Sequence, residues 1–386
     1  MNLNSRPEFA QRPSIRSDDD PLLVCFFTLV LNGEPFIRYH LDVLERLSFP
    51  WQWHIVEGVA EHHHDTAWCA NAGGSIPEDD HRHGLSIDGT SEYLTELAES
   101  YPDRVHVHRR ENGFWDGKRE MANQAVQGIA HPCLLWEIDS DELWTAAQIE
   151  RCRQLFLENP EMRMANFWCH YFVGPRRVIV SPTGFSRQGG HEWRRVWRFE
   201  PGMRWASHEP PSLTRKDPNS GEWVTANAPA FSHAQTEAAG LVFQHFSLAT
   251  EQQVRFKETY YGHRGAMEGW SSLQRATCFP RALHRHLSWV DYDTVVDEVD
   301  AAGVDPLAEV SMDGAWQFHW DKAATGAAGF WRDRMAADLF ALHGLPRAWQ
   351  TWRLAIVLNP RLRCVAKAIK NRLRAVFKKP RSQGAS

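Results

Sequence analysis

Asp139-Ser140-Asp141-Glu142 places three carboxylates within four residues, directly after the apolar run Leu134, Leu135, Trp136 and Ile138. Aspartates at i and i+2 offer hard oxygens to Mg²⁺ or Mn²⁺, ions that are commonly held by few carboxylates and complete their shell with water and phosphate oxygens. The apolar run suits a buried strand, so the carboxylates emerge at its carboxyl end, the edge where open α/β sheets place ligands. The same turn also suits a solvated acidic cap on the helix that follows, with Glu142 as its capping group. A second concentration of ligating side chains is the polar stretch 59–85, with His62, His63, His64, His81 and His83 beside Asp79 and Asp80. Imidazole binds metals, but histidines in a Gly- and Asp-rich loop are more often simply solvated.

These groups need a scaffold. Leu23–Leu31 is an apolar run that ends in the turn Asn32-Gly33-Glu34-Pro35, and Phe36, Tyr39, His40, Val43, Leu44 and Leu47 then recur at helical spacing. Residues 51–58 predict a second strand closing on Glu57-Gly58, and Ser86-Ile87-Asp88-Gly89-Thr90 predicts a turn and helix start before Tyr93, Leu94 and Leu97. Residues 104–108 suit a third strand, and 118–126 a helix feeding the Leu134–Ile138 strand. The order β-α-β-α-β-α-β predicts an α/β fold, a Rossmann-like, mostly parallel sheet flanked by helices. Past a helix over 145–156, strands are expected at 165–173, 178–180 and 194–199. Met203–Ser207 leads into the Pro-stopped loop at His208-Glu209-Pro210-Pro211, another apolar run covers 241–247, and a helix covers 251–261.

The chain has 386 residues, long enough for one enlarged α/β domain with additions, and its net charge of −5 gives no reason to expect a nucleic-acid partner. Seven scattered cysteines without C-x-x-C spacing suggest neither a disulfide framework nor a zinc ribbon and fit a reducing, cytoplasmic setting. Residues 1–20 are polar, lack the apolar stretch of a secretory signal, and are expected to form a disordered leader. After Asp338 there is no acidic residue, while eleven Lys and Arg lie between Arg347 and Arg381. Leu362, Val365, Ala366, Ile369, Leu373, Val376 and Phe377 fall at helical spacing among these cations. Segment 345–386 therefore reads as a basic amphipathic helix that either packs on its own domain or lies peripherally on an anionic membrane surface at the inner face of the plasma membrane.

In order along the chain, Asn32-Gly33-Glu34, Glu57-Gly58 with Asp88-Gly89, Gly117-Lys118 with Asn123, and Asp139-Ser140-Asp141 resemble the motifs of a family 2 glycosyltransferase with the GT-A fold. The resemblance covers about residues 22–262, with the acidic nucleotide turn split by residues 59–85. It implies a GT-A domain over 21–262, with a donor half to about 145 and an acceptor half beyond, followed by a helical extension over 263–344. It also implies a nucleoside diphosphate sugar donor, a divalent cation (Mn²⁺ or Mg²⁺) and a glycan or lipid-linked acceptor.

By that resemblance Asp139 and Asp141 bind the metal, joined by His245, which sits where some members supply a late metal-binding histidine. Among Val242, Phe243 and Phe246 a histidine is otherwise ordinarily structural. Glu57, Asp88, Lys118 and Asp139 become donor contacts, carboxylates for ribose or base hydroxyls and the ammonium as a point charge for phosphate. An inverting transfer needs one general base, for which Glu209 is the first choice and Glu192 the rival, with His208 orienting the carboxylate or binding acceptor. Arg187, Arg194 and Arg195 either contact phosphate or acceptor or face water. Two other readings start from the same residues, a two-metal phosphoester hydrolase and a catalytically inactive membrane-associated scaffold.

Overall fold

The strand β1 (Leu23–Val30) is buried almost throughout because it lies inside the sheet, hydrogen-bonded on both sides. In the computed structural model, which describes residues 22–61, 76–181, 193–290 and 294–322, it pairs in parallel with β2 (Trp51–Glu57) and, on its other flank, with β4 (Cys133–Glu137). β3 (Val105–Arg109) extends the sheet in parallel beyond β2. His62–His64, Arg187, Glu192 and the basic segment 345–386 lie outside the described residues. Among the described residues no helix is long and apolar enough to cross a membrane.

Period-2 alternation assigns the two faces. Val24 and Phe26 of β1, Trp53 and Ile55 of β2, and Leu134 and Trp136 of β4 belong to one buried cluster, together with Tyr39 and Leu94 from the helices Tyr39–Leu44 and Thr90–Ser100. Cys25, Phe27, Val56 and Leu135 face the other way, onto Met121, Ala122 and Ala125 of the helix Gly117–Gln127. Right-handed crossovers require this division: the chain steps outward from β1 to β2 to β3 with helices on one face, then returns past β1 to β4 with its helix on the other. The reversal leaves a crevice between the carboxyl ends of β1 and β4.

The second half departs from the parallel pattern. After β5 (Glu142–Leu143) and the helix Ala146–Glu158, the stretch expected as one strand over 165–173 divides into β6 (Met164–Asn166) and β7 (Cys169–Tyr171), which belong to different sheets. A register shift between Ala165 and Asn166 makes the ladder to β9 irregular at its last pair, Asn166 with Arg194, and the Asn166 side chain donates to Phe231 O. β8 (Arg177–Ile179) follows, and then β9 (Arg194–Phe199) runs antiparallel between β4 and β6, giving the main sheet the order β13-β6-β9-β4-β1-β2-β3 once β13 (Ala230–Phe231) is added. β10 (Arg204–His208), β11 (Pro211–Lys216) and β12 (Trp223–Thr225) form a small antiparallel sheet, and β14 (Phe243–His245) lies between β5 and β7.

The described residues of 263–322, expected as part of a helical extension, hold the helix Ala266–Gln274, helical turns at Leu283–Arg285 and Val299–Ala302, and four short strands, Arg281–Ala282, Val295–Glu298, Ala308–Val310 and Trp316–Phe318. Val295 and Val296 are β-branched and fully buried, and their strand pairs with β8 rather than forming another helix.

One cluster on β2 and β3 has a thermodynamic consequence. The buried His54 ring stacks on His108 at 5.7 Å and 6°, lies 4.8 Å from His106, and its Nδ1 is 3.4 Å from His108 Nε2. Burial pushes His54 down to about 3, with His106 and His108 adding to the fall; both neighbours are lowered too, Asp103 partly opposing this at His106. The folded state thus keeps His54 neutral where the unfolded chain binds a proton. Stability from this group is complete above the ordinary histidine pKa and falls as pH drops from about 6.5 towards 3, by at most about 1.4 kcal/mol per pH unit. Thermal unfolding between pH 7.5 and pH 5 is expected to show this acid loss, and His54→Leu is expected to flatten it. An equal slope in the variant would show that the cluster is not responsible.

Candidate active site

The Asp139-Ser140-Asp141 loop is fixed through its backbone before any of its carboxylates is considered. Thr28 Oγ1 donates to Ile138 O at 2.6 Å, Ile138 N donates to Phe27 O at 2.9 Å, and Phe246 N donates to Asp141 O at 2.8 Å. His40 Nε2 donates to Ser140 O at 2.9 Å, and burial pushes this imidazole down to about 4, so it acts as a neutral donor. The β1 loop presses directly on the acidic loop. A Cβ at Gly33 would stand 2.7 Å from Val30 Cγ2 and 3.1 Å from Ser140 Cβ, so the approach requires glycine.

Beneath the loop lies a buried charge network centred on Arg195 of β9. Its guanidinium donates to Glu142 at 2.7–3.0 Å, reaches Asp139 Oδ2 at 3.4 Å and stands 3.7 Å from Glu137. Three carboxylates around one cation are not equivalent. Burial pushes Glu142 up to about 7, with Arg195 opposing and Asp139 adding to the rise, and burial likewise raises Asp139. Glu137 feels the same burial but has a second partner, His208 Nε2 at 2.8 Å, and Arg195 and His208 together hold it below the usual carboxylate range. His208 is in turn raised above the ordinary histidine value, because Glu137 outweighs its burial. Glu142, expected as a helix cap, is instead fully buried against Arg195. The cap is Thr145, which forms a capping box with Gln148.

Asp141 is served by the downstream chain. Antiparallel pairing of β14 with β5 sets His245 opposite Glu142, and this register brings His245 Nε2 to 3.3 Å from Asp141 Oδ1. Gln253 Nε2 donates to Asp141 Oδ2 at 3.3 Å and Lys257 Nζ lies 3.9 Å from it, both from the helix Glu251–Tyr260. Burial pushes the Asp141 carboxyl up, but His245 and Lys257 outweigh it and hold it well below the usual range.

A cleft of about 780 Å³ opens above these groups, lined among others by Asn32, Gly33, Asp139, Asp141, His208, Glu209, His245 and Lys257. It lies at the carboxyl ends of β1 and β4, at the reversal of strand order. Glu209, in the turn between β10 and β11, is part-exposed, with Oε1 3.3 Å from Lys118 Nζ and 3.9 Å from His208 Nδ1. Lys118 Nζ also donates to Tyr261 Oη at 3.0 Å.

Of the residues singled out in the sequence, Asp139, Asp141, Lys118, His208, Glu209 and His245 all line this one cleft. Glu57 and Asp88 stand behind its wall. Glu57 is fully buried and accepts from Ser86 N at 3.1 Å, from Arg109 Nε at 2.7 Å and from the Ser91 hydroxyl, while Asp88 accepts from Glu34 N at 2.9 Å and from Thr90 N at 3.1 Å. Both shape the loops that border the cleft. Arg194 donates to Pro211 O at 3.1 Å, and Arg195, read as a solvent or phosphate contact, is the buried centre of the network. Glu137, His40, Gln253 and Lys257 were missed. Only Glu137, a carboxylate within an apolar strand, carried a sequence signal, because such a charge must find a buried partner.

Among the described residues no three His, Cys, Asp or Glu side chains converge on a point suited to a metal ion. Asp141 and His245 converge as a pair, while Asp139 is drawn towards Arg195. An oxygen and an imidazole nitrogen form a donor set suited to a divalent cation that completes its shell with phosphate oxygens and water, not to an all-protein cage.

No family model matches the chain, and neither does any curated protein sequence. Among solved structures, S. aureus TarS residues 1–349 align at 13% identity over 46% of this chain and 47% of that one, with a TM-score of 0.30. The mannosyltransferase PcManGT from Pyrobaculum calidifontis, in complex with GDP-Man and Mn²⁺, aligns at 17% identity over 38% of this chain and 35% of that one, with a TM-score of 0.27. The similarity thus spans less than half of either structure.

Replacing Arg195 tests the network. Arg195→Met leaves Glu142 and Glu137 buried beside an apolar chain and is expected to cost about 3–5 kcal/mol in chemical denaturation. A loss below about 1 kcal/mol would mean that the carboxylates are neutral or solvated in the native state.

Proposed function

We propose that the chain transfers a glycosyl group from a nucleoside diphosphate sugar to a hydroxyl of a glycan or lipid-linked acceptor, with inversion at the anomeric carbon. The observation that supports this reading best is the meeting of Asp141 with His245 and of Glu209 with His208 on the wall of one cleft at the strand-order reversal. Such crevices suit nucleotides, and the cleft volume of about 780 Å³ suits a ligand of nucleotide-sugar size. The order of motifs from Asn32 to Asp141 supports the same assignment.

Roles follow from position. Asp141 and His245 hold the cation, which when bound neutralises charge on the departing diphosphate. Asp139, kept in place by Arg195, faces the same space and accepts from donor hydroxyls. Glu209 takes the proton of the acceptor hydroxyl as its oxygen forms a bond to the anomeric carbon. The bond from that carbon to the phosphate oxygen breaks, and its electron pair leaves with the diphosphate. His208, anchored by Glu137, fixes the turn that presents Glu209.

A thermal-shift screen of nucleoside diphosphates and their sugars, with and without Mn²⁺, checks the proposal. At least one is expected to raise the melting temperature, more with the cation, since a ligand selective for the native state stabilises it. Asp141→Asn is expected to remove the Mn²⁺-dependent part of the shift. Glu209→Gln is expected to keep the whole shift while transfer falls by about 10²–10⁴-fold. The reading fails if no nucleoside diphosphate binds the wild-type protein, and Glu209 is not the base if its variant turns over normally.

A further inference from the structure

Among the described residues four cationic side chains line the cleft, Lys118, Arg195, Arg255 and Lys257, and three of them have a close carboxylate. Lys118 Nζ is 3.3 Å from Glu209, Arg195 is 2.7 Å from Glu142, and Arg255 is 2.8 Å from Glu251. Lys257 stands apart. Among the described residues its nearest carboxylate oxygen, Asp141 Oδ2, lies at 3.9 Å and is already accepting from Gln253, while the other oxygen of Asp141 faces His245. The Lys257 ammonium instead donates to Ser247 O at 2.8 Å and to the Ser247 hydroxyl, neutral groups that orient it without neutralising it.

A charge held this way is costly unless something anionic completes its shell. The helix carrying it is fixed at both ends. Thr250 caps its start through a capping box with Gln253, and near its end Tyr260 Oη donates to Ala60 O at 2.8 Å, on the loop that follows β2. Lys257 is therefore presented rigidly at the cleft wall, beside the carboxylate that also faces His245.

Resting on the glycosyl-transfer reading, we infer that Lys257, oriented by Ser247, is an anion subsite for the diphosphate of the donor, and that diphosphate binding draws its ammonium from Asp141 onto a phosphate oxygen. In the free protein Lys257 is a weak counter-ion to Asp141. In the complex it neutralises the leaving group alongside the cation, and Asp141 is released for that cation. Binding of the diphosphate and of the cation to this chain are thereby coupled through one lysine.

Calorimetric titration of the full chain tests this with UDP, GDP, uridine and guanosine as probes, each with Mn²⁺ and with EDTA. The wild-type protein is expected to bind at least one of the two diphosphates. Lys257→Gln is expected to weaken that diphosphate by about tenfold or more in both conditions, leave the matching nucleoside unchanged, and bind Mn²⁺ alone at least as well as wild type. Lys257→Arg is expected to keep diphosphate affinity within about threefold. Lys257→Met, near in volume and needing no partner, serves should the glutamine variant not fold. Unchanged diphosphate affinity in the folded variant overturns the subsite, and so does an equal loss for nucleoside and diphosphate, which marks a merely structural lysine. A wild-type protein that binds neither diphosphate overturns the glycosyl-transfer reading and this inference with it.

Discussion

Arg195 sits where strands from distant parts of the chain meet, and its guanidinium is the cation that allows Glu137, Asp139 and Glu142 to be packed within reach of one another. An isolated buried carboxylate is strongly disfavoured, and several together are worse, because each raises the cost of ionising the next. One arginine cannot satisfy three equally. The balance is settled by geometry: Glu137 gains His208, Glu142 takes the closest contact, and Asp139 keeps a looser one at 3.4 Å at the edge of the cleft. The network ties β4, β5, β9 and β10 into one rigid floor, and the acidic loop rests on it.

The topology of the main sheet explains why that floor lies beneath a cleft. Outward winding through β2 and β3, followed by return to β4, leaves the carboxyl ends of β1 and β4 uncovered, and the loops leaving them carry Asn32-Gly33 and Asp139-Ser140-Asp141. The antiparallel strand β9 beside β4 then delivers Arg195 from below. β10 and β11 bring His208 and Glu209 to one side, and β14 with the helix Glu251–Tyr260 closes over the acidic loop from the other. Contacts spanning 200 residues of sequence, such as Tyr260 Oη to Ala60 O, hold that closure.

Much of this architecture was legible beforehand. Near-continuous apolar runs at Leu23–Val30 and Cys133–Glu137, the helical spacing after Gly89 and Gly117, and the acidic turn closing the fourth strand are local patterns, and each formed the element its pattern implies. The second half was harder. Its strands are mostly two or three residues long, too short for a period to register, and the described residues of 263–322 mix such strands with the helix Ala266–Gln274 and short helical turns where a helical extension was expected.

The sequence by itself determined the alternation of strands and helices and the position of Asp139 and Asp141 at a strand's end, because both follow from interactions among residues close along the chain. Only the tertiary structure decided that Glu142 is buried on Arg195 rather than capping a helix, that Glu57 and Asp88 brace loops behind the cleft, and that His245 and Lys257 share Asp141. The physical reason is that a charge's role depends on which opposite charge folding brings within about 4 Å. That partner comes from another strand or helix, at a separation that leaves no trace in local spacing.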